Sequence, residues 1–168
     1  MESTTFRSKW YNWKMLVIAV ILLAVFIKYY VLEEHDENAP VVVEMELEKV
    51  AFGSEQEVEA ILGNGTLVSY FRDNRVNCEK CPKISYREGK IEIIFINGIA
   101  DRIMINKLTD YQFEDRVILG LLDLKENIKP NIDNKELKQW ENYQKYSQIS
   151  AFNRDGKIEY ILIKSKTM

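Results

Sequence analysis

The sequence predicts an α+β fold: an antiparallel sheet with two short helices packed on one face, built from two related helix-plus-strand repeats and preceded by a transmembrane helix. Three observations predict it. Residues 15–27 (MLVIAVILLAVFI) are uninterrupted apolar sequence. Beyond them, short apolar runs are separated by Gly-centred turns, as in a strand meander. Finally, the decapeptide Arg87–Ile96 (REGKIEIIFI) returns as Arg154–Ile163 (RDGKIEYILI) with seven of ten positions identical and no gap.

The apolar run alone spans only ~20 Å as a helix, against a hydrocarbon core of ~30 Å. Its flanks supply the rest. Trp10, Tyr11 and Trp13 precede it, and Tyr29 and Tyr30 follow; such rings favour the two headgroup levels. Lys14 and Lys28 can extend their ammonium groups to the same levels. The rival is a cleaved signal peptide, but Lys28-Tyr29-Tyr30-Val31-Leu32 offers no small-x-small cleavage site, and Ala39 is followed by Pro40. The expectation is therefore an uncleaved signal-anchor over 14–32. Arg7, Lys9 and Lys14 lie before it, and Glu33, Glu34, Asp36 and Glu37 after it. Positive charge stays in the cytoplasm, so residues 1–13 are expected inside and the C-terminal domain outside a cell membrane.

Residues 33–40 (EEHDENAP) read as a short acidic stalk, and 41–168 as the extracytoplasmic domain. Val41, Val43, Met45 and Leu47 alternate with Glu44, Glu46 and Glu48, which predicts a half-buried strand. Ser54 and Glu57 form a capping box opening a helix over about 55–62, closed by Gly63. Residues 66–71 suit a strand. Ile84–Arg87, Lys90–Ile96 and Ile99–Ile105 follow as strands, the last two joined by Asn97-Gly98. Thr109 and Gln112 suggest a second capping box for a helix over about 110–123, with Phe113, Val117, Leu121 and Leu122 as its apolar side. Residues 125–135 read as loop. Strands over about 146–152 and 157–164 close the chain around Asn153-Arg154-Asp155-Gly156. Repeat one then covers about 52–106 and repeat two about 109–164.

A short helix ending in Leu-Gly, then a strand, a Gly-centred turn and a strand, given twice, resembles the β-lactamase-inhibitor-protein-like fold and the SmpA/OmlA-type outer-membrane assembly lipoproteins. The matching stretches are Val58–Gly63 with Ile84–Ile105, and Val117–Leu122 with Ile149–Ile163. The usual Gly-x-Pro after the first helix is Gly63-Asn64-Gly65 here, and there is no lipobox. The resemblance implies a non-enzymatic role in binding proteins or stabilising envelope assemblies, and with it a bacterial envelope.

Charge and motifs narrow the chemistry. Net charge is −3, and since residues 1–32 are net positive, the outer domain is acidic. That argues against nucleic-acid binding. Cys78-Glu79-Lys80-Cys81 is the one motif with redox potential. A thiol–disulfide oxidoreductase sets CxxC at a helix N-terminus, whereas Pro82 and a strand-like Lys83-Ile84-Ser85-Tyr86 follow here. A local structural disulfide in an oxidising compartment is the reading preferred, with a membrane-tethered redox protein as the alternative. Two cysteines are too few for a zinc site within one chain. His35, the only histidine, lies in the stalk, and the carboxylate pairs Glu44/Glu46 and Asp101/Glu114 look like ordinary solvated faces. No phosphate cradle follows Gly63-Asn64-Gly65. No cofactor, metal or catalytic residue is therefore expected.

A partner-binding surface is better motivated. Strict alternation places Ile91, Ile93 and Phe95 on one sheet face and Ile94 and Ile96 on the other, with Ile158, Tyr160 and Leu162 against Ile161 and Ile163 repeating the arrangement. If both helices cover one face, Ile94, Ile96, Ile161 and Ile163 form an apolar patch on the second. Trp140 either joins it or, with Leu137 and Tyr143, folds over it as core. The expected partners are the membrane and another envelope or membrane protein, with self-association left open.

Overall fold

The computed structural model describes residues 5–30, 41–125 and 128–166. The chain divides into two units, Met1–Pro40 and Val41–Met168. The first is helix α1, Thr5–Tyr30, of 26 residues. Its described side chains, Trp13 and residues 15–26, are all exposed. Among the described residues, no helix is long and apolar enough to cross a membrane. The side chains of Trp10, Lys14, Lys28, Tyr29 and Tyr30, and the acidic segment 33–40, lie outside the described residues.

The second unit is α+β. Its helices are α2 (Leu47–Val50), α3 (Glu55–Leu62) and α4 (Asp115–Leu121). The strands are β1 (Thr66–Asp73), β2 (Cys78–Tyr86), β3 (Ile91–Ile96), β4 (Ile99–Ile105), β5 (Ile132–Asp133), β6 (Leu137–Glu141), β7 (Tyr146–Arg154) and β8 (Lys157–Ser165). They form one eight-stranded sheet in the order β1-β2-β3-β4-β8-β7-β6-β5, and every pairing is antiparallel. Two four-stranded meanders thus meet along β4 and β8, leaving β1 and β5 as the edges.

The capping box at α3 forms as its residues dictate. Glu57 N–H donates to Ser54 Oγ, and Ser54 N–H donates to Glu57 Oε2 at 2.7 Å. Gly63 closes the helix at φ 88°, a left-handed value that a side chain would resist. Gly65 serves a different need. A Cβ there would fall 2.4 Å from Ile84 Cγ2 and 2.6 Å from the Tyr86 ring, so Gly63-Asn64-Gly65 turns the chain closely over β2. Asn97 and Gly98, at φ 53° and 79°, join β3 to β4 as a two-residue hairpin.

Three expected elements differ. Residues 41–46 are not a strand. The N–H groups of Glu44 and Met45 donate to Leu121 O at 2.9 and 3.1 Å, and that of Leu47 to Leu122 O. The segment satisfies carbonyls at the end of α4 and then coils into α2. The second helix begins at Asp115, and no side chain caps it. Its expected first turn is drawn away by tertiary bonds: Phe113 N–H donates to Gly156 O, and Tyr111 O accepts from Ile158 N–H. The Thr109/Gln112 capping box therefore does not form. Within 125–145, β6 pairs with β7 as part of the sheet and does not fold over it.

All three helices pack on one face. Leu47, Val50, Val58, Leu62, Ile118 and Leu122 share one buried cluster with Ile91, Ile93 and Phe95 of β3, Ile103 and Ile105 of β4, and Ile149 of β7. Burying each such side chain contributes roughly 1.5–3 kcal/mol. Trp140, Ile161 and Ile163 belong to this same cluster.

Candidate functional site

The face of the sheet opposite α2, α3 and α4 holds the small disulfide cluster at one end and, beside it, a partly exposed apolar surface. It carries Ile94 on β3, Met104 on β4 and Leu162 on β8, all half-buried; Met104 and Leu162 are cross-strand partners. With Phe71 of β1 they line a shallow depression of about 190 Å3. The rim is charged. Lys83 Nζ lies 2.7 Å from Glu92. Arg102 sits 3.3 Å from Asp73 Oδ2 and 3.7 Å from Asp101 Oδ2, with its guanidinium 4.9 Å from the Phe71 ring centre. Lys164 Nζ donates to Gln148 Oε1 at 2.9 Å.

Two carboxyl groups that pair with Arg102 of this rim are driven in opposite directions. Asp73 accepts hydrogen bonds from the Arg75 side chain and its backbone N–H, and with Arg102 nearby its pKa falls to about 2. Asp101 is 3 % exposed, and burial raises its pKa against the pull of Arg102. Its Oδ1 has no hydrogen-bond partner among the described residues. The cause is a bulge: Ile94 pairs with Arg102 but Phe95 with Ala100, so Asp101 is the extra residue.

The cysteines form a disulfide next to the depression. Phe71 pairs with Cys81 and Asp73 with Cys78, so β2 uses one residue more than β1 there. That bulge brings two residues three apart in an extended strand to a Cα separation of 5.8 Å. Cys78 and Cys81 are 2 % and 7 % exposed and pack with Ile96, Phe71, Val76 and Ile94 in a small cluster of their own. The strand runs through Pro82 where β2 has outrun β3 and pairs only with β1. No helix begins at the motif, so the setting that activates a CxxC thiol is missing.

Of the residues expected to form a patch, Ile94 and Ile163 line the depression, and only Ile94 has appreciable exposed surface there. Ile96 is enclosed beside the disulfide. Ile161 and Ile163 are 0 % and 1 % exposed, inside the main core. Trp140 is there too, its indole N–H donating to Ile128 O at 2.7 Å. The error is one of register. Phe152 pairs with Tyr160 but Asn153 with Ile158, so Glu159 is an extra residue on β8. It turns Ile161 and Ile163 inward and Leu162 outward. Met104, Leu162, Lys164 and Phe71 were thus missed; continuing alternation inward-outward from Ile103 would have located Met104.

Other candidate groups have structural employment. Glu44 accepts from Tyr111 Oη at 2.6 Å and pairs with Lys90 at 2.7 Å, and Glu46 pairs with Lys49. His35 lies outside the described residues. Trp13 is 66 % exposed on α1. Among the described residues, no group of three or more His, Cys, Asp or Glu side chains could hold a metal ion. Compared with known proteins, the chain matches no family model, no curated protein and no solved structure.

Proposed function

We propose that this chain is a non-enzymatic, membrane-anchored extracytoplasmic module that binds a protein partner or stabilises an envelope assembly. The observation that carries the reading is the one-sided sheet: an apolar floor of Ile94, Met104 and Leu162 within a charged rim, on the face opposite α2, α3 and α4. A core that needed only to fold would place polar residues there.

The anchor rests on α1. Residues 15–26 present exposed apolar side chains around the whole helix, and a helix apolar on every side suits lipid or a protein interior. The positive charges before it favour an N-terminus in the cytoplasm. The helix-then-four-strand order of each half of the domain supports two related units and the likeness to the β-lactamase-inhibitor-protein-like fold. The redox alternative has less in its favour, since both cysteines are buried in a strand.

A photocrosslinking residue in place of Met104, used in native membranes, tests the reading. Adducts with a protein, or with a second copy of the chain, are expected from position 104 and not from Glu55 on the helical side. Absence of any adduct from the open face would sink it.

A further inference from the structure

The rim indicates what the depression receives. Lys83 is matched by Glu92, and Arg102 by Asp73 and Asp101. Lys164 is different: it donates to the neutral amide oxygen of Gln148 and meets no carboxylate among the described residues. Gln148 is held in place, its Nε2 donating to Gln139 Oε1 at 2.8 Å and to Ser150 Oγ at 2.7 Å. Ser150 Oγ donates in turn to Gln139 Oε1 at 3.1 Å. Ser150 is 1 % exposed, so the frame is built into the sheet. Neutral groups thus fix a full positive charge beside an apolar floor, an arrangement that a freely solvated lysine does not require.

We propose that the depression, as the docking site of the module inferred above, takes a segment of a partner protein that presents a large apolar side chain beside a carboxylate. The side chain lies on Met104 and Leu162, and the carboxylate meets Lys164. Charge complementarity selects this occupant. The floor accepts no charge, two rim cations are already matched, and the remaining one calls for an anion. Size agrees: a cavity of roughly 150 Å3 holds a benzene ring, and this depression is about 190 Å3.

The test uses the full chain in lipid nanodiscs, with methyl-labelled methionine and two capped dipeptides, acetyl-Phe-Asp-amide and acetyl-Phe-Asn-amide. The aspartyl peptide should shift the Met104 methyl resonance and bind about five-fold more tightly, the scale of one partly exposed charge pair. K164Q should abolish that preference and K164R should keep it. Equal affinity for the two peptides, or binding that leaves the Met104 signal unmoved, overturns the proposal. Decanoate binding at Met104 more tightly than the aspartyl peptide, with the same dependence on Lys164, would also overturn it, in favour of a lipid carboxylate. Adducts captured from position 104 alongside either result would leave the binding-module reading standing; failure of both experiments ends both.

Discussion

Ile94 and Ile161 occupy the same position of two near-identical decapeptides and face opposite sides of one sheet. Ile94 lies at the open depression, whereas Ile161 is fully buried beneath the helices. One local difference produces this, since the turns, though unequal, leave Ile91 and Ile158 both facing the main core. The first decapeptide turns through four residues, Tyr86 pairing with Ile91, while the second turns through two, Arg154 pairing with Lys157. The second then spends Glu159 on a bulge. Because side chains alternate with period two, one extra residue exchanges the faces of everything after it.

Paired substitutions should separate the two positions. Ile161→Ala should destabilise the outer domain by about 2–5 kcal/mol, as expected for a large-to-small change in a packed core. Ile94→Ala should cost less than about 1 kcal/mol while weakening partner capture. Chemical denaturation and crosslinking yield measure the two effects. Equal stability losses would contradict the assigned faces.

Replacing Cys78 and Cys81 together with serine should lower stability by about 2 kcal/mol, the chain-entropy scale for so short a loop. Partner capture should persist, because neither sulfur lines the depression. Loss of capture in a variant that still melts cooperatively would favour the redox alternative.

Asp101→Asn should raise stability at neutral pH by about 1 kcal/mol, by removing a poorly compensated buried charge. The sign of the pH effect follows from its raised folded pKa. The contribution is fully present below the unfolded value of ~3.9 and is lost as pH rises through the folded value. Denaturation midpoints measured from pH 4 to pH 7 should therefore show the variant gaining over the native chain as pH increases. A gain that is constant across that range would rule out the charge as its source.

Gly65→Ala should destabilise by about 1–3 kcal/mol through overpacking alone, because its Cβ would press on Ile84 and Tyr86. Gly98→Ala meets no neighbour within 4 Å but carries φ 79°, so its cost comes from backbone strain. Thermal melting of the two variants together with Gly65→Ala/Tyr86→Leu separates the causes: the added substitution should recover part of the Gly65 loss.

Where local chemistry decided the structure, the sequence was readable. Ser54 and Glu57 set α3 because both partners of the capping box lie within four residues, and Asn97-Gly98 set its hairpin because few other pairs accept two left-handed residues. Distant backbone groups decided the failures. Leu121 and Leu122 claim the N–H groups of Glu44, Met45 and Leu47, while Gly156 in the β7–β8 turn accepts from Phe113 N–H and Ile158 N–H donates to Tyr111 O. The site suffered most, since a bulge at Glu159 leaves no mark on composition or periodicity. Of its floor, Ile94 was legible and Met104 follows from alternation along β4, but Leu162 became visible only when the register was known.

The two margins of the sheet are unequal. One is β5, two residues long. The other is β1, eight residues long, with Leu67, Val68 and Tyr70 each about half exposed. A strand so placed invites lateral growth, chain upon chain. Val68 opposes this: Leu67 pairs with Ile84 and Ser69 with Lys83, so the residue between them protrudes from the ladder. The irregularity near the disulfide puts its extra residue on β2 and adds twist to the pair. Bulge and twist together make β1 a poor template for an incoming strand, which disfavours zipping of neighbouring copies into a continuous ribbon.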